Sequence, residues 1–442
     1  MDLSDKSLGL IPNAIAQLSQ ALNSFTPITV LDLSSNSLQP VHIQTLTQSL
    51  LLLIRKQLDS PFKLETLNLG INDIGVAGIE AIAQLFQLPE NQITHLSVSY
   101  NRLSQSAIVA LANLVLTHPN NRLTHLNVGW NYLGKNGIDT ICCALSHPNN
   151  HITELVLSQS ALDVESLRIL ARELTRPGNR LNLVDLSHNS YDYLYGEQHQ
   201  RPSVWSSGGM TILATALAHR NHTVTSLNLR SNSIGPAELR IFGEITLCHP
   251  NNRIKNLYLA NNRLSSDSIP DLCRWMTSAY FCVSFLELSN TGIIESAAVE
   301  ILNALPKNSS LLAIDGMCQN FISIEIQQKI NKQLQKNLIR RCVIVIVIVI
   351  VIVIVVVVVV VIVIVIVVVV DRQFLLNIGS PVYTIDHIDH VKHLSLSLSL
   401  SLSLSLSLSL SHTHTQSINQ SINQSINQSI NQSINQSRVV SN

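Results

Sequence analysis

The sequence predicts an α/β solenoid, in which strand–helix units stack side by side to build one parallel sheet and one layer of helices. The segment LDLSSNSL at Leu31–Leu38 recurs as LNLGINDI (Leu67–Ile74), LSVSYNRL (Leu96–Leu103), LNVGWNYL (Leu126–Leu133), LVLSQSAL (Leu155–Leu162) and VDLSHNSY (Val184–Tyr191). It returns as LNLRSNSI (Leu227–Ile234), LYLANNRL (Leu257–Leu264) and LELSNTGI (Leu286–Ile293), with a degenerate copy near Ile314–Phe321. Up to Leu286 the copies start 29 or 30 residues apart, except for two steps of 36 and 43. A fixed period of this length marks a repeat architecture. Between the copies, apolar residues recur at the spacing of an amphipathic helix.

Each unit can be justified element by element. Apolar and polar residues alternate within a copy, as in Leu126-Asn127-Val128, which is the period of a short half-buried strand. Three residues after the second apolar position stands an asparagine: Asn36, Asn72, Asn101, Asn131, Asn189, Asn232 or Asn262. Its amide both donates and accepts, so it can satisfy backbone groups that a buried bend would orphan. Ser160 and Thr291 stand there in two copies and do this less completely. Helices are expected over Gly78–Phe86, Ala107–Leu116, Gly137–Leu145 and Ser166–Thr175. They end in breakers such as His118-Pro119-Asn120-Asn121, His147-Pro148-Asn149-Asn150 and His249-Pro250-Asn251-Asn252. Proline stops the helix, and these asparagines are expected to take the left-handed turn into the next strand. One strand and one helix cannot bury a core alone, so stacking is obligatory.

Strand, asparagine, full helix and a period near 29 resemble the ribonuclease-inhibitor-like subclass of leucine-rich repeats. That subclass includes the sensor regions of NOD-like receptors, Ran GTPase-activating proteins and bacterial effectors. The resemblance covers about Leu3 to Phe321. It implies a right-handed horseshoe with a parallel sheet on the concave face and helices outside, over residues 1–322 in about ten repeats. Ribonuclease inhibitor itself is rich in cysteine, and the seven cysteines here depart from it.

Lys+Arg and Asp+Glu are both 28, a formal net charge of zero, which argues against nucleic-acid binding because phosphates need a basic face. The scattered cysteines read as free thiols of a reducing compartment. The N-terminus has no charged region followed by an apolar one, so no secretory signal is read there. MDLSDKSL looks like a repeat entered halfway, either a short cap or the remnant of a longer upstream region. No nucleophile elbow, P-loop or glycine-rich dinucleotide turn is present. His118, His147 and His249 share one repeat position, but no cysteine or carboxylate recurs beside them to complete a metal set. Neither enzymatic activity nor a cofactor is expected, and the solenoid is expected to be monomeric.

The expected function is a scaffold that binds a protein partner through the concave face. One outward column runs Ser35, Ile71, Tyr100, Trp130, Gln159, His188, Ser231, Asn261, Asn290; a second runs Asp32, Asn68, Ser97, Asn127, Val156, Asp185, Asn228, Tyr258, Glu287. Adjacent repeats lie about 5 Å apart, so Tyr100 and Trp130 should be neighbours, flanked by His95 and His125. Exposed aromatics are common energetic anchors of interfaces. His188 and Tyr258 complete the candidates on the face. The 43-residue step holds an insertion near residues 191–209, and Tyr193, Tyr195 and Trp205 make it a candidate aromatic binding loop. The alternatives are a small-GTPase regulator of the Ran-activating type and a membrane-anchored receptor or effector.

Beyond the repeats, residues 323–342 read as a basic helical segment carrying Lys329, Lys332, Lys336, Arg340 and Arg341. Val343–Val370 is an unbroken Val/Ile run. As a helix it would be about 42 Å long, more than the ~30 Å hydrocarbon core requires, so it is a candidate membrane span. The basic residues before it would place the repeats in the cytoplasm, anchored by a single C-terminal span. Residues 371–442 are expected to be a disordered low-complexity tail. It alternates Leu and Ser over Leu394–Ser411, then His and Thr, then repeats SINQ five times over Ser417–Gln436. CTCTCT, CACACA and the tetranucleotide TCAA encode these stretches, and GTT/ATT triplets encode the Val/Ile run, so the region from Val343 reads as largely translated microsatellite. In water the Val/Ile run would be an aggregation hazard.

Overall fold

The computed structural model of the chain describes residues 1–22, 28–55, 63–190 and 203–377, with backbone only for 364–377. Among the described residues ten three-residue strands form one sheet, all parallel and in chain order. They are β1 (Val30–Asp32), β2 (Thr66–Asn68), β3 (His95–Ser97), β4 (His125–Asn127), β5 (Glu154–Val156), β6 (Leu183–Asp185), β7 (Ser226–Asn228), β8 (Asn256–Tyr258), β9 (Phe285–Glu287) and β10 (Ala313–Asp315). Leu31, Leu67, Leu96, Leu126, Leu155, Val184, Leu227, Leu257, Leu286 and Ile314 fall in one row, all buried. The 43-residue step leaves this register intact, because Val184 pairs with Leu227 as its neighbours pair with theirs.

The asparagine after each strand ties its repeat to the one before. Asn131 accepts the backbone N–H groups of Asn101 (2.9 Å) and Leu103 (3.1 Å) and donates to the carbonyls of Val98, Val128 and Gly129. Asn72, Asn189 and Asn262 make the same set of bonds. Ser160 offers one 3.5 Å bond to Ser158 O in its place. In the degenerate last copy the asparagine comes one residue late, as Asn320. Gly316, at φ 77°, takes up the extra residue. Asn320 still receives the N–H groups of Thr291 and Ile293 and donates to Leu288 O. At the other end, Asp2 bridges Asp32 in parallel, so MDLSDKSL continues the ladder as half a repeat.

The helix-ending asparagines correct the sequence reading. None of Asn120, Asn121, Asn149, Asn150, Asn251 or Asn252 has a left-handed backbone. They form a second ladder instead. Asn121 accepts the N–H of Leu123 and donates to Leu116 O in the last helical turn; Asn150, Asn179 and Asn252 do the same. Where the preceding residue is also asparagine it reaches back: Asn120 to Gln87 O at 2.7 Å, Asn149 to Thr117 O and Asn251 to Ala218 O. An amide that caps orphan helical carbonyls stabilises more here than one that eases a turn. A left-handed residue follows each of the first nine strands instead: Ser35, Ile71, Tyr100, Trp130, Gln159, His188, Ser231, Asn261 and Asn290, with φ between 49° and 60°.

His222 replaces the second asparagine in one repeat. It is buried, with Nε2 2.8 Å from Asn251 O and no partner for Nδ1. Burial holds its pKa below the ordinary 6.5, against the opposing pull of the Asn251 carbonyl. The unfolded chain therefore takes up this proton first on acidification. The contribution is complete above the ordinary value and is lost as pH falls from there toward the folded pKa. His222→Asn should flatten this acid loss, measured as urea midpoints at about pH 7.5 and about pH 5.5.

Helices run over Pro40–Arg55, Gly75–Phe86, Gly134–Leu145, Val164–Thr175 and Glu295–Ala304, starting two or three residues earlier than the apolar spacing indicated where they were expected. Gln105–Leu111 continues as a wider turn over Ala112–Leu116, and Pro236–Phe242 does so over Gly243–Leu247. Gly243 is needed for contact: a Cβ there would sit 2.3 Å from the ring of Trp275, which is fully buried. Gly→Ala within a helix ordinarily gains about 0.5–1 kcal/mol. Gly243→Ala should instead cost about 1–3 kcal/mol in chemical denaturation, because the core is overpacked.

The chain divides into two compact units, Met1–Arg341 and Cys342–Asn442. In the first, the start of the helix Ile324–Asn377 closes the solenoid. Ile330, Leu334 and Asn337 are buried, Asn337 donates to Leu305 O, and Lys329, Lys332 and Lys336 stay exposed. The helix runs unbroken to Asn377, so residues 371–377, expected as the start of the disordered tail, are helical. The Leu-Ser, His-Thr and SINQ stretches lie outside the described residues.

Candidate functional site

The left-handed column is where the structure gathers exposed aromatic surface. From Ser35 to Asn261 each of its residues gives its N–H to the next repeat, as Tyr100 does to Gly129 O (3.0 Å) and Trp130 to Ser158 O (2.7 Å). The chain then turns sharply, so the side chain stands past the strand's end rather than on the strand. Tyr100 is 49% exposed. Its ring centroid is 5.7 Å from that of Trp130, and Trp130 is 5.6 Å from His188. Trp130 and His188 are two repeats apart, about 10 Å by strand spacing, so their rings lean together over the position between them. Gln159 occupies that position, 2% exposed, and its Oε1 has no hydrogen-bond partner. Burial lowers the pKa of His188, with Asp185 opposing and Arg230 adding to the effect.

His95 and His125 do not flank this pair. They stand at the start of β3 and β4, five residues earlier and at the opposite end of the strands. There they stack on each other, with centroids 3.6 Å apart, and His125 Nε2 lies 2.8 Å from Glu154 Oε1. Burial, then the neighbouring His125, lowers the pKa of His95. Tyr258 lies in a third cluster: the Arg230 guanidinium sits 4.8 Å from its ring centroid, and Phe285 packs beside it at 5.3 Å. Arg230 is held by both carboxylate oxygens of Glu287.

Trp205 leaves the candidate surface. It is 1% exposed and fills the core beside the helix Met210–Leu217, because its indole supplies apolar volume that the short turn Trp205–Gly209 would otherwise leave empty. Tyr193 and Tyr195 lie outside the described residues. The second outward column is also less free than the alternation suggested. Asp32, Asn68, Asn127, Asp185 and Asn228 each accept the N–H two residues on, ending the strand with a side-chain turn. The recurrence of Asp and Asn at that position was the available signal. A polar hollow of about 720 Å³, lined by Ser231, Ser233, Asn261, Asn290 and Thr291, adjoins His188 on the same edge. Among the described residues no group of three or more His, Cys, Asp or Glu is placed to hold a metal ion. His118, His147 and His249 each accept a backbone N–H at Nδ1 in their turns.

A family model described as Leucine Rich repeat matches residues 60–83, 120–142 and 220–237. Each match takes in one strand and the start of the following helix. The matched segments are leucine-rich repeats, and their strands are three of the ten in the sheet. No curated protein matches the sequence. Among solved structures, the leucine-rich repeat-containing protein LegL7 from Legionella pneumophila is similar at 20% identity and a TM-score of 0.46, over 76% of this chain and 98% of that one. Leucine-rich repeats generally mediate protein–protein interaction, and the exposed rings of this leucine-rich repeat sheet lie on the edge where its strands end.

Proposed function

We propose that this leucine-rich repeat domain is a non-enzymatic scaffold that docks a protein partner, with the row Tyr100–Trp130–His188 as its main contact. One observation carries the reading: two of the chain's bulkiest side chains sit at φ 51° and 60°. The left-handed region costs an ordinary residue about 1–2 kcal/mol, and asparagine tolerates it best after glycine. Asn261 and Asn290 hold the same position in later repeats. Tyrosine and tryptophan kept in a strained backbone, and partly exposed, are best explained by an external contact. His95, His125 and Tyr258 form two further clusters that a large partner would also meet. Replacement of both rings, with partner affinity as the readout, tests the reading.

A second reading, compatible with the first, is membrane attachment. The described side chains of the run from Val343 to Val363 are nearly all exposed, and the helix reaches a mean hydropathy of 4.3 over its most apolar window. An exposed apolar surface of this size calls for lipid or association. The full chain should stay with liposomes through a carbonate wash, while a variant carrying Asp in place of Ile350, Val355 and Val360 should be released. Release of both would remove the span.

A further inference from the structure

We infer that the row Tyr100–Trp130–Gln159–His188 receives a basic side chain, lysine or arginine, from the docked partner. This rests on the docking reading above and adds the chemistry of the contact. The carboxamide oxygen of Gln159 is buried beneath two rings without a donor, and an unmet buried acceptor is stabilised most by a charged donor that reaches it. The faces of Tyr100 and Trp130 attract a cation through their ring quadrupoles. Asp185 lies close enough to His188 to act on its titration, so the row has a carboxylate at one end. Strands β2–β6, read from the residue before each through to the row itself, carry Glu65, Glu154 and Asp185 but no lysine or arginine. Arg230, the cation that acts on His188, is already paired with Glu287. Width also favours a lysine or arginine. The Trp130 and His188 centroids are 5.6 Å apart, so a slender aliphatic stem can part the rings where an aromatic side chain would have to displace them.

The readout is built into the chain. Of its three tryptophans, Trp205 and Trp275 are each 1% exposed and Trp130 is half-buried, so a ligand at the surface acts on the emission of Trp130. The probes are capped tripeptides Gly-X-Gly with X as Arg, Lys, Gln or Glu, titrated into the full chain. The Arg and Lys peptides should shift the emission and the Gln and Glu peptides should not. Gln159→Met should weaken the Arg peptide at least about tenfold, and Gln159→Glu should tighten it. A merely structural glutamine would give no such opposite signs. Equal response to the Arg and Gln peptides, or Met and Glu variants that behave alike, overturns the inference. If that happens while loss of Tyr100 and Trp130 still abolishes partner binding, the docking reading stands alone. If partner binding survives that loss, the docking reading falls as well.

Discussion

Tyr100→Asn/Trp130→Asn should lose partner affinity by at least about 100-fold, since two central aromatic anchors contribute about 2 kcal/mol or more each, while the fold is nearly unchanged. The second half of that expectation follows from the backbone. Asparagine relieves the left-handed strain at φ 51° and 60°, a gain of about 1 kcal/mol at each site. The lost ring contacts at 5.7 and 5.6 Å cost a similar amount. Thermal and urea midpoints should therefore move little, and affinity measured by calorimetry should move greatly. Tyr280→Asn is the matched control, because Tyr280 is 49% exposed in a helix-ending turn away from the row. Unchanged affinity in the double variant would move the docking surface elsewhere, with the His95–His125 stack and the Tyr258 cluster the next to test.

The second large effect falls on stability. Asn262→Ala should destabilise the solenoid by about 3–5 kcal/mol, because several buried groups lose their partner together. Asn262 accepts the N–H groups of Asn232 and Ile234, both at 3.0 Å, and donates to the carbonyls of Leu229, Leu259 and Ala260. Asn262→Asp should be no better. The carboxylate keeps the two acceptor bonds but faces three carbonyls with no proton to give. Because repeats contact only their neighbours, the cut should also divide unfolding. Urea curves are expected to broaden or split, as the repeats before and after Asn262 lose their coupling. A single transition with an unchanged midpoint would show that the ladder contributes little.

The repeat itself was legible from the chain. Leucine spacing placed nine strands and the degenerate tenth, because each strand must present the same two buried residues to its neighbours. The asparagine after each strand could be given its work in advance, since an amide donates and accepts from separate atoms and so serves a buried bend more completely than a hydroxyl. The second asparagine ladder was visible as a motif but misread: the pattern Pro-Asn-Asn suggests a turn, and only the fold shows Leu116 O and Gln87 O waiting for donors. The neighbouring rings of Tyr100 and Trp130 followed from the period. Their left-handed backbone did not, and neither did the closing of Trp130 and His188 over Gln159, which joins residues from repeats that are not adjacent.

Local order in this protein is therefore a matter of sequence, since strand, bend and helix within each unit follow from short-range periodicity and amide chemistry. Tertiary structure decided which side chains remain available. Trp205 and Tyr100 are both aromatic residues in polar surroundings along the chain, yet one fills the core and the other stands at the edge of the sheet. Asp32, Asn68 and Asp185 alternate as surface residues should, yet spend their oxygens on their own strand ends. Burial and hydrogen-bond satisfaction depend on the three-dimensional stack, because the groups that compete for each side chain come from repeats about 30 residues away.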